Sequence, residues 1–262
     1  MIPKVVYQTW KTQRLPLASQ YALKRMKECN SEYSFELFDD RDVVNFINSN
    51  FDESVRVAYS RLKLGASRAD LFRYCVLFVR GGIYVDIDSE ITQNLNTLVG
   101  DCSACISREK NNGRFVQWML AFEANHPILQ RVIFYAVSEI LSRPISDTMD
   151  YDILALTGPT VFSRAVVDTI GMRNLWGRDD LIISNYLQHN VDGQVRRTKI
   201  FGHDFENYAL FTLPYCKLID VEVFLRHGTL NWKVHEWYSR NKIPFIGALT
   251  AVALIIFRYY FL

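Results

Sequence analysis

Hydrophobic and polar residues along this chain alternate between strand-like and helix-like spacing. Strand-like runs are predicted at 4–8, 33–38 and 103–107. Helical spacing predicts helices at 19–30, 53–64, 114–124, 127–141 and 160–170, and a further helix, capped by Asp39 or Asp40, that ends at Asn48. Because strands that alternate with helices are typical of a parallel sheet covered by helices, the pattern predicts an α/β fold.

One block, residues 67–88, combines a helix, a glycine pair and a strand. Ser67 is followed three residues later by Asp70, which fits the capping box that begins a helix. The glycines at 81–82 are the residue type expected just past a helix end. The sequence therefore predicts that a helix begins at Ser67 and stops at the glycine pair.

The strand predicted at 83–88 ends in two carboxylates, Asp86 and Asp88. They share one face of that strand, because side chains alternate along a strand. Two like charges a few ångströms apart repel unless a cation or a basic group lies between them. Carboxylate oxygens suit Mg²⁺ or Mn²⁺ better than zinc, and a diphosphate would supply further oxygens. The alternative is a solvated strand end in which the aspartates only favour a turn.

Length and composition indicate one domain with no global charge bias. A chain of 262 residues with 49% hydrophobic content can bury a sizeable core. The 30 basic and 28 acidic residues nearly balance, so the overall charge does not favour nucleic acid as a partner. The five cysteines have no regular spacing and Met1 leads directly into a strand, so we expect neither a disulfide framework nor a signal peptide.

The segment 244–262 differs from the rest of the chain. It has 13 uncharged residues from Phe245 to Phe257 before Arg258. A full membrane span needs about 20 apolar residues, but an arginine near the end can reach the interface. We therefore expect a domain at 1–240 and a hydrophobic segment at 241–262 that anchors the protein to a membrane by a single pass. The alternative is a terminal helix packed on the domain.

Three segments together resemble glycosyltransferase family 32, the DXD-containing sugar transferases. They are Ile2 to Thr12 (IPKVVYQTWKT), the block 67–88 with its Asp-Ile-Asp, and Arg226 to Lys233 (RHGTLNWK). The resemblance implies a fold of GT-A type, in which a Rossmann-like mixed, mainly parallel sheet is flanked by helices, followed here by a C-terminal hydrophobic helix. It also implies a catalytic domain that uses a nucleotide sugar.

The resemblance implies a metal site and the residues that hold it. Asp86 and Asp88 would bind Mn²⁺ or Mg²⁺, with His227 as a third ligand. Asn231 and Trp232 would contact the diphosphate of the donor. Asn231 departs from the small hydroxyl residue that the family commonly has there, although an amide can also donate to phosphate.

Donor-binding residues are implied in two further places. Gln8, Thr9 and Trp10 end the first strand, and open α/β sheets bind ligands beyond the carboxyl ends of their strands. Trp10 would stack on the base, or else pack in the core. Asp70 and Arg73 lie three residues apart on one helix. By resemblance they contact the sugar and the donor, and the alternative is a simple intrahelical ion pair.

The reaction implied is transfer of a hexose with retention of the anomeric configuration. Mannose from GDP-mannose to a lipid-linked or glycan acceptor in the endomembrane system or Golgi is the first hypothesis. Galactose, glucose or N-acetylglucosamine from a UDP-sugar is the second, and a catalytically silent sugar-binding module is the third. Front-face transfer needs no nucleophile, whereas a double displacement needs a carboxylate, for which the candidates are Asp179 and Asp180.

Overall fold

The computed structural model describes residues 1–91, 94–109, 114–144, 152–170, 185–191, 194–203 and 216–218. The strands are β1 (Val5–Thr9), β2 (Ser34–Phe38), β3 (Gly82–Val85), β4 (Ser89–Ile91), β5 (Ala104–Glu109), β6 (Met119–Phe122), β7 (Asn185–Val191), β8 (Gln194–His203) and β9 (Cys216–Leu218). The helices are α1 (Leu17–Cys29), α2 (Asp40–Asn50), α3 (Glu53–Arg61), α4 (Gly65–Arg80), α5 (Leu95–Val99), α6 (Pro127–Ser142), α7 (Ile153–Leu156) and α8 (Pro159–Ile170).

Seven strands form one mixed sheet in the order β2-β1-β3-β6-β5-β8-β7. Strand β1 pairs in parallel with both β2 and β3, and β5 pairs in parallel with β8. Strands β6 and β7 are antiparallel to their neighbours, so the other five strands point in one direction. A separate antiparallel pair joins β4 to β9. The prediction of a mixed, mainly parallel sheet is confirmed.

Helices cover both faces of this sheet. Tyr7 and Tyr84 belong to one hydrophobic core with residues of α2, α3, α4, α6 and α8. Val6 and Ile83, which point the other way, belong to a second core with residues of α1 and α5. Because neighbouring residues of β1 and β3 enter opposite cores, both strands are buried on two faces, as expected for the centre of an α/β sheet.

Helix α4 begins earlier than the sequence predicts. Its first residue is Gly65, preceded by the N-cap Leu64, so the predicted capping box of Ser67 and Asp70 is wrong. The Ser67 hydroxyl instead donates to the carbonyl of Leu64 at 3.0 Å. The predicted end is confirmed, because Gly81 closes the helix with a φ of 65°, a left-handed conformation that suits glycine.

The segment 114–124, predicted as a helix, contains strand β6 instead. All four residues of β6 are buried, and the strand lies between β3 and β5. A strand that is buried on both faces reads as a continuous hydrophobic run, which periodicity cannot distinguish from a helix. The predicted helices at 127–141 and 160–170 are confirmed as α6 and α8.

Several predicted features lie outside the described residues. They are His227, Asn231, Trp232, the aspartates at 179 and 180, and the hydrophobic segment 241–262. Within the described part of the chain, no helix is both long and apolar enough to cross a bilayer.

Candidate active site

The parallel pairing of β1 and β3 brings the first predicted donor segment next to the aspartates. In the parallel register of β1 and β3, Tyr7 lies opposite Tyr84. Thr9 and Asp86, each two residues further along, therefore lie at the same carboxyl edge of the sheet. The Gln8 side-chain amide donates to the backbone carbonyl of Asp86 at 3.4 Å. The Thr9 hydroxyl lies 2.9 Å from the hydroxyl of Tyr84 and is hydrogen bonded to it.

Asp86 and Asp88 lie in a turn and not on a strand. Strand β3 ends at Val85, and the N–H of Asp86 donates to the carbonyl of Trp118 at 2.8 Å. The N–H of Ser89 then donates to the Asp86 carbonyl at 3.0 Å, which closes a turn around Asp88. The predicted strand is present but ends at Val85, so the prediction that it extends to Asp88 with both aspartates on one strand face is wrong.

Arg73 is the centre of a buried charge cluster. Its Nη2 atom lies 3.0 Å from Oδ1 of Asp70 and 3.0 Å from Oδ1 of Asp86. The remaining nitrogens donate to backbone carbonyls, Nη1 to Gln117 at 3.0 Å and Nε to Ala69 at 3.3 Å. The guanidinium is thus held by the protein on every nitrogen. The intrahelical pair with Asp70 is present, and Asp86 is a second partner that helix spacing alone does not predict.

Asp70 also accepts a hydrogen bond that the sequence did not indicate. The Thr157 hydroxyl donates to its Oδ2 atom at 3.1 Å. The Thr157 carbonyl in turn accepts from the Tyr74 hydroxyl at 2.7 Å and from the Gln117 side-chain amide at 3.1 Å. The sequence Thr157-Gly158-Pro159 is typical of a turn before a helix, and such a turn carries no indication of a carboxylate partner.

The two cluster carboxylates differ in exposure. The side chain of Asp70 is 9% exposed and that of Asp86 is 28% exposed. Burial raises the pKa of Asp70 to about 7, although Arg73 opposes the shift, and the charge of Asp86 adds to it. Burial also raises the pKa of Asp86, again opposed by Arg73. Asp86 is therefore the more accessible of the two acids.

Tyr84 joins this cluster to the end of β1. The Arg73 guanidinium carbon lies 4.8 Å from the centroid of the Tyr84 ring, a distance at which a cation is attracted to the ring face. Because the Tyr84 hydroxyl also bonds Thr9, one fully buried side chain spans the charge cluster and the predicted donor segment. Trp10 follows Thr9, is partly exposed, and has the Lys11 ammonium 5.5 Å from its ring centroid.

Two of the described acidic residues could hold a divalent cation. Asp86 and Asp88 present carboxylates at the sheet edge, and both side chains are partly exposed. No group of three or more His, Cys, Asp or Glu residues that could hold a metal is found within the described ranges. Two oxygen donors fit Mg²⁺ or Mn²⁺, because these ions commonly complete their coordination with phosphate and water.

Comparison with known proteins agrees with this architecture. The fold is similar to that of a solved structure, the PaToxG glycosyltransferase, with a TM-score of 0.54 and 20% identity over 65% of this chain and 70% of that one. The class defined by fold and site is thus a GT-A-like α/β domain. Residues 16–104 match the family described as a glycosyltransferase sugar-binding region containing a DXD motif.

Two curated relatives come from Schizosaccharomyces pombe. Inositol phosphoceramide mannosyltransferase 3 is 30% identical over 132 residues, which cover 50% of this chain and 36% of the relative. Initiation-specific alpha-1,6-mannosyltransferase is 27% identical over 192 residues, which cover 64% of this chain and 48% of the relative. The chain therefore spans less than half the length of these two relatives.

Proposed function

We propose that the protein is a metal-dependent, retaining glycosyltransferase that moves a hexose from a nucleotide sugar to a hydroxyl group. The observation that carries the proposal is the turn of Asp86 and Asp88, which lies beside Gln8 and Thr9 at the carboxyl edge of the sheet. The segment that matches the DXD family contains this turn. Open α/β sheets bind ligands at this edge, which supports a donor site there.

Departure of a nucleoside diphosphate builds negative charge on the bridging oxygen, and the site must stabilise it. A divalent ion held by Asp86 and Asp88, with His227 as the proposed third ligand, would supply the Lewis acid that neutralises this charge. Asn231 and Trp232 would donate hydrogen bonds to the diphosphate. Front-face transfer to a positioned acceptor hydroxyl accounts for retention without a protein nucleophile.

We further propose mannose as the sugar, with GDP-mannose as the donor. Support comes from the names of the two yeast relatives, both of which are mannosyltransferases. An inositol phosphoceramide acceptor in one relative and the hydrophobic segment 244–262 here support a lipid-linked acceptor at an endomembrane. A glycan acceptor is the alternative, and a UDP-sugar is the alternative donor.

Donor hydrolysis by the purified full chain tests the proposal. We expect Mn²⁺-dependent hydrolysis of GDP-mannose, faster than that of UDP-galactose, UDP-glucose or UDP-N-acetylglucosamine, and its loss when EDTA removes the ion. Asp88→Asn should lower the rate by about 100-fold, because it removes charge from the group that stabilises the leaving diphosphate. Asp101→Asn is the matched control, since Asp101 is an exposed acid outside the site, and it should leave the rate unchanged.

Two outcomes would contradict the proposal. If none of the four donors is hydrolysed with either Mn²⁺ or Mg²⁺, the transferase assignment fails. If Asp88→Asn hydrolyses the donor as fast as Asp101→Asn does, the turn is not the site.

Membrane attachment is tested separately. Deletion of 244–262 should move the protein from the membrane pellet to the supernatant. A protein that stays in the pellet has another means of attachment.

A further inference from the structure

We propose that Thr157 is a positioning residue for the aspartate turn. Its hydroxyl holds the carboxylate of Asp70, and Asp70 together with Arg73 holds Asp86 in place. The catalytic consequence of this inference rests on the proposed function, whereas the structural link itself does not. Neither the family match, which ends at residue 104, nor the sequence patterns assign a role to Thr157.

The geometry is an unbroken chain of hydrogen bonds and ion pairs. Thr157 Oγ1 lies 3.1 Å from Asp70 Oδ2, and Asp70 Oδ1 lies 3.0 Å from Arg73 Nη2. The same Nη2 atom lies 3.0 Å from Asp86 Oδ1. Because one nitrogen serves both carboxylates, a shift of Asp70 changes where the guanidinium sits and therefore how Asp86 is held.

Thr157 is itself firmly anchored. Its N–H donates to the Ile153 carbonyl at 3.0 Å, and its carbonyl accepts hydrogen bonds from Tyr74 and Gln117. The next residue, Gly158, has no room for a side chain, since a Cβ atom there would lie 2.7 Å from the Ile153 carbonyl oxygen. The connection between α7 and α8 is therefore a rigid support from which the hydroxyl can fix a carboxylate.

A role in packing alone would not require the hydroxyl. Thr157 is fully buried, and valine has nearly the same shape. Valine would leave Oδ2 of Asp70 without the donor that Thr157 provides, in a site where the Asp70 side chain is only 9% exposed. A hydrogen bond to a charged group corresponds to roughly a tenfold to hundredfold effect on an equilibrium, so its loss should be measurable.

Arg73 reports the link directly by NMR. Its Nε–H signal, assigned by its disappearance in Arg73→Lys, should exchange with solvent slowly because the side chain is 6% exposed and bonded to Ala69. In Thr157→Val we expect the Arg73 Nε–H to exchange at least about tenfold faster. The reason is that Asp70, the partner of the guanidinium, is no longer held by the Thr157 hydroxyl. Thr157→Ser keeps the hydroxyl, so its exchange rate should stay within about twofold of the wild-type rate.

Thr169→Val is the matched control. Thr169 is a buried threonine of α8 whose hydroxyl donates to the carbonyl of Ala165 at 2.7 Å and not to a carboxylate. It tests whether loss of any buried hydroxyl speeds exchange at Arg73. If Thr157→Val does not fold, Thr157→Ala removes the same hydroxyl with a smaller side chain and is interpreted in the same way.

Kinetics test the catalytic consequence. With GDP-mannose, kcat should fall at least about tenfold in Thr157→Val with a much smaller change in KM, and Thr157→Ser should restore kcat. Wild-type exchange at Arg73 in Thr157→Val overturns the inference whatever the activity, and faster exchange with unchanged kcat overturns its catalytic part. An inactive wild-type protein refutes the proposed function instead, and the exchange rates still decide the structural link.

Discussion

Replacing Arg73 with methionine removes the cation that lies between two carboxylates. Methionine fills much of the same space with a flexible apolar side chain, so the main change is the loss of charge and hydrogen bonds. Arg73 is 5% exposed, and both Asp70 and Asp86 lose a partner at 3.0 Å. Removing one member of a buried ion pair costs about 3–5 kcal/mol, because the carboxylates left behind must either stay charged without compensation or take up a proton.

A matched control isolates the contribution of burial. Arg80 and Glu36 also form an ion pair at 3.0 Å, but their side chains are 44% and 45% exposed. Exposed ion pairs contribute about 0–1 kcal/mol, because water solvates each charge when the partner is removed. Because the Arg80 guanidinium also lies 5.1 Å from the centroid of the Phe46 ring, we expect Arg80→Met to lower the free energy of unfolding by about 1–2 kcal/mol, still less than Arg73→Met.

Urea denaturation of the full chain at pH 7.5, followed by tryptophan fluorescence, measures both effects. A double variant sharpens the test: Arg73→Met with Asp70→Asn removes the uncompensated carboxylate along with the cation. The free energy of unfolding of the double variant should exceed that of Arg73→Met alone by more than about 1 kcal/mol, since burial of an amide costs less free energy than burial of a charge. The reasoning fails if Arg73→Met costs no more than Arg80→Met, or if the double variant recovers nothing.

The remaining predictions concern pH and two glycines. The pKa of Asp70 is raised from 3.8 to about 7, so the folded protein binds a proton at this carboxyl more tightly than the unfolded chain does. Proton binding at Asp70 therefore stabilises the folded state fully below about pH 4, and this contribution is lost as the pH rises through 7. Urea denaturation between pH 5 and 8 should therefore show a steeper loss of stability in wild type than in Asp70→Asn, and equal slopes would contradict it. Gly82→Ala should cost more than about 1 kcal/mol, because φ is 104° and the new Cβ would lie 2.7 Å from Val5 Cγ1. Gly65→Ala, with no atom within 4 Å of the Cβ, should stabilise the protein by about 0.5–1 kcal/mol, and thermal unfolding distinguishes the two glycines.

Local sequence signals were sufficient to predict the helix ends whose stabilising contacts come from residues nearby in the chain. Helix α2 begins with a capping box in which the Asp39 side chain accepts from the N–H of Asp42, and both residues lie within one turn. The stop of α4 at Gly81 and the start of α6 at Pro127 depend on single residues with restricted backbone conformations. Such features were predicted to within a few residues.

Long-range bonds explain what the sequence did not predict. The turn at Asp86 depends on the carbonyl of Trp118, which belongs to the segment that was mistaken for a helix. Thr157 lies 87 residues from Asp70 along the chain, and the backbone carbonyl of Gln117 lies 44 residues from Arg73. No local pattern relates such distant residues, so only the fold reveals that they meet.

The charge cluster changes the physical argument for a cation at the aspartate turn. From the sequence, either a cation or a basic group was expected between the two carboxylates, because they would otherwise repel each other. In the fold, Arg73 already lies against Asp86, but it must also compensate the buried Asp70. One guanidinium is thus shared by two carboxylates, and it can neutralise at most one negative charge. Arg73 therefore orients Asp86 without removing the electrostatic reason for an ion at this edge.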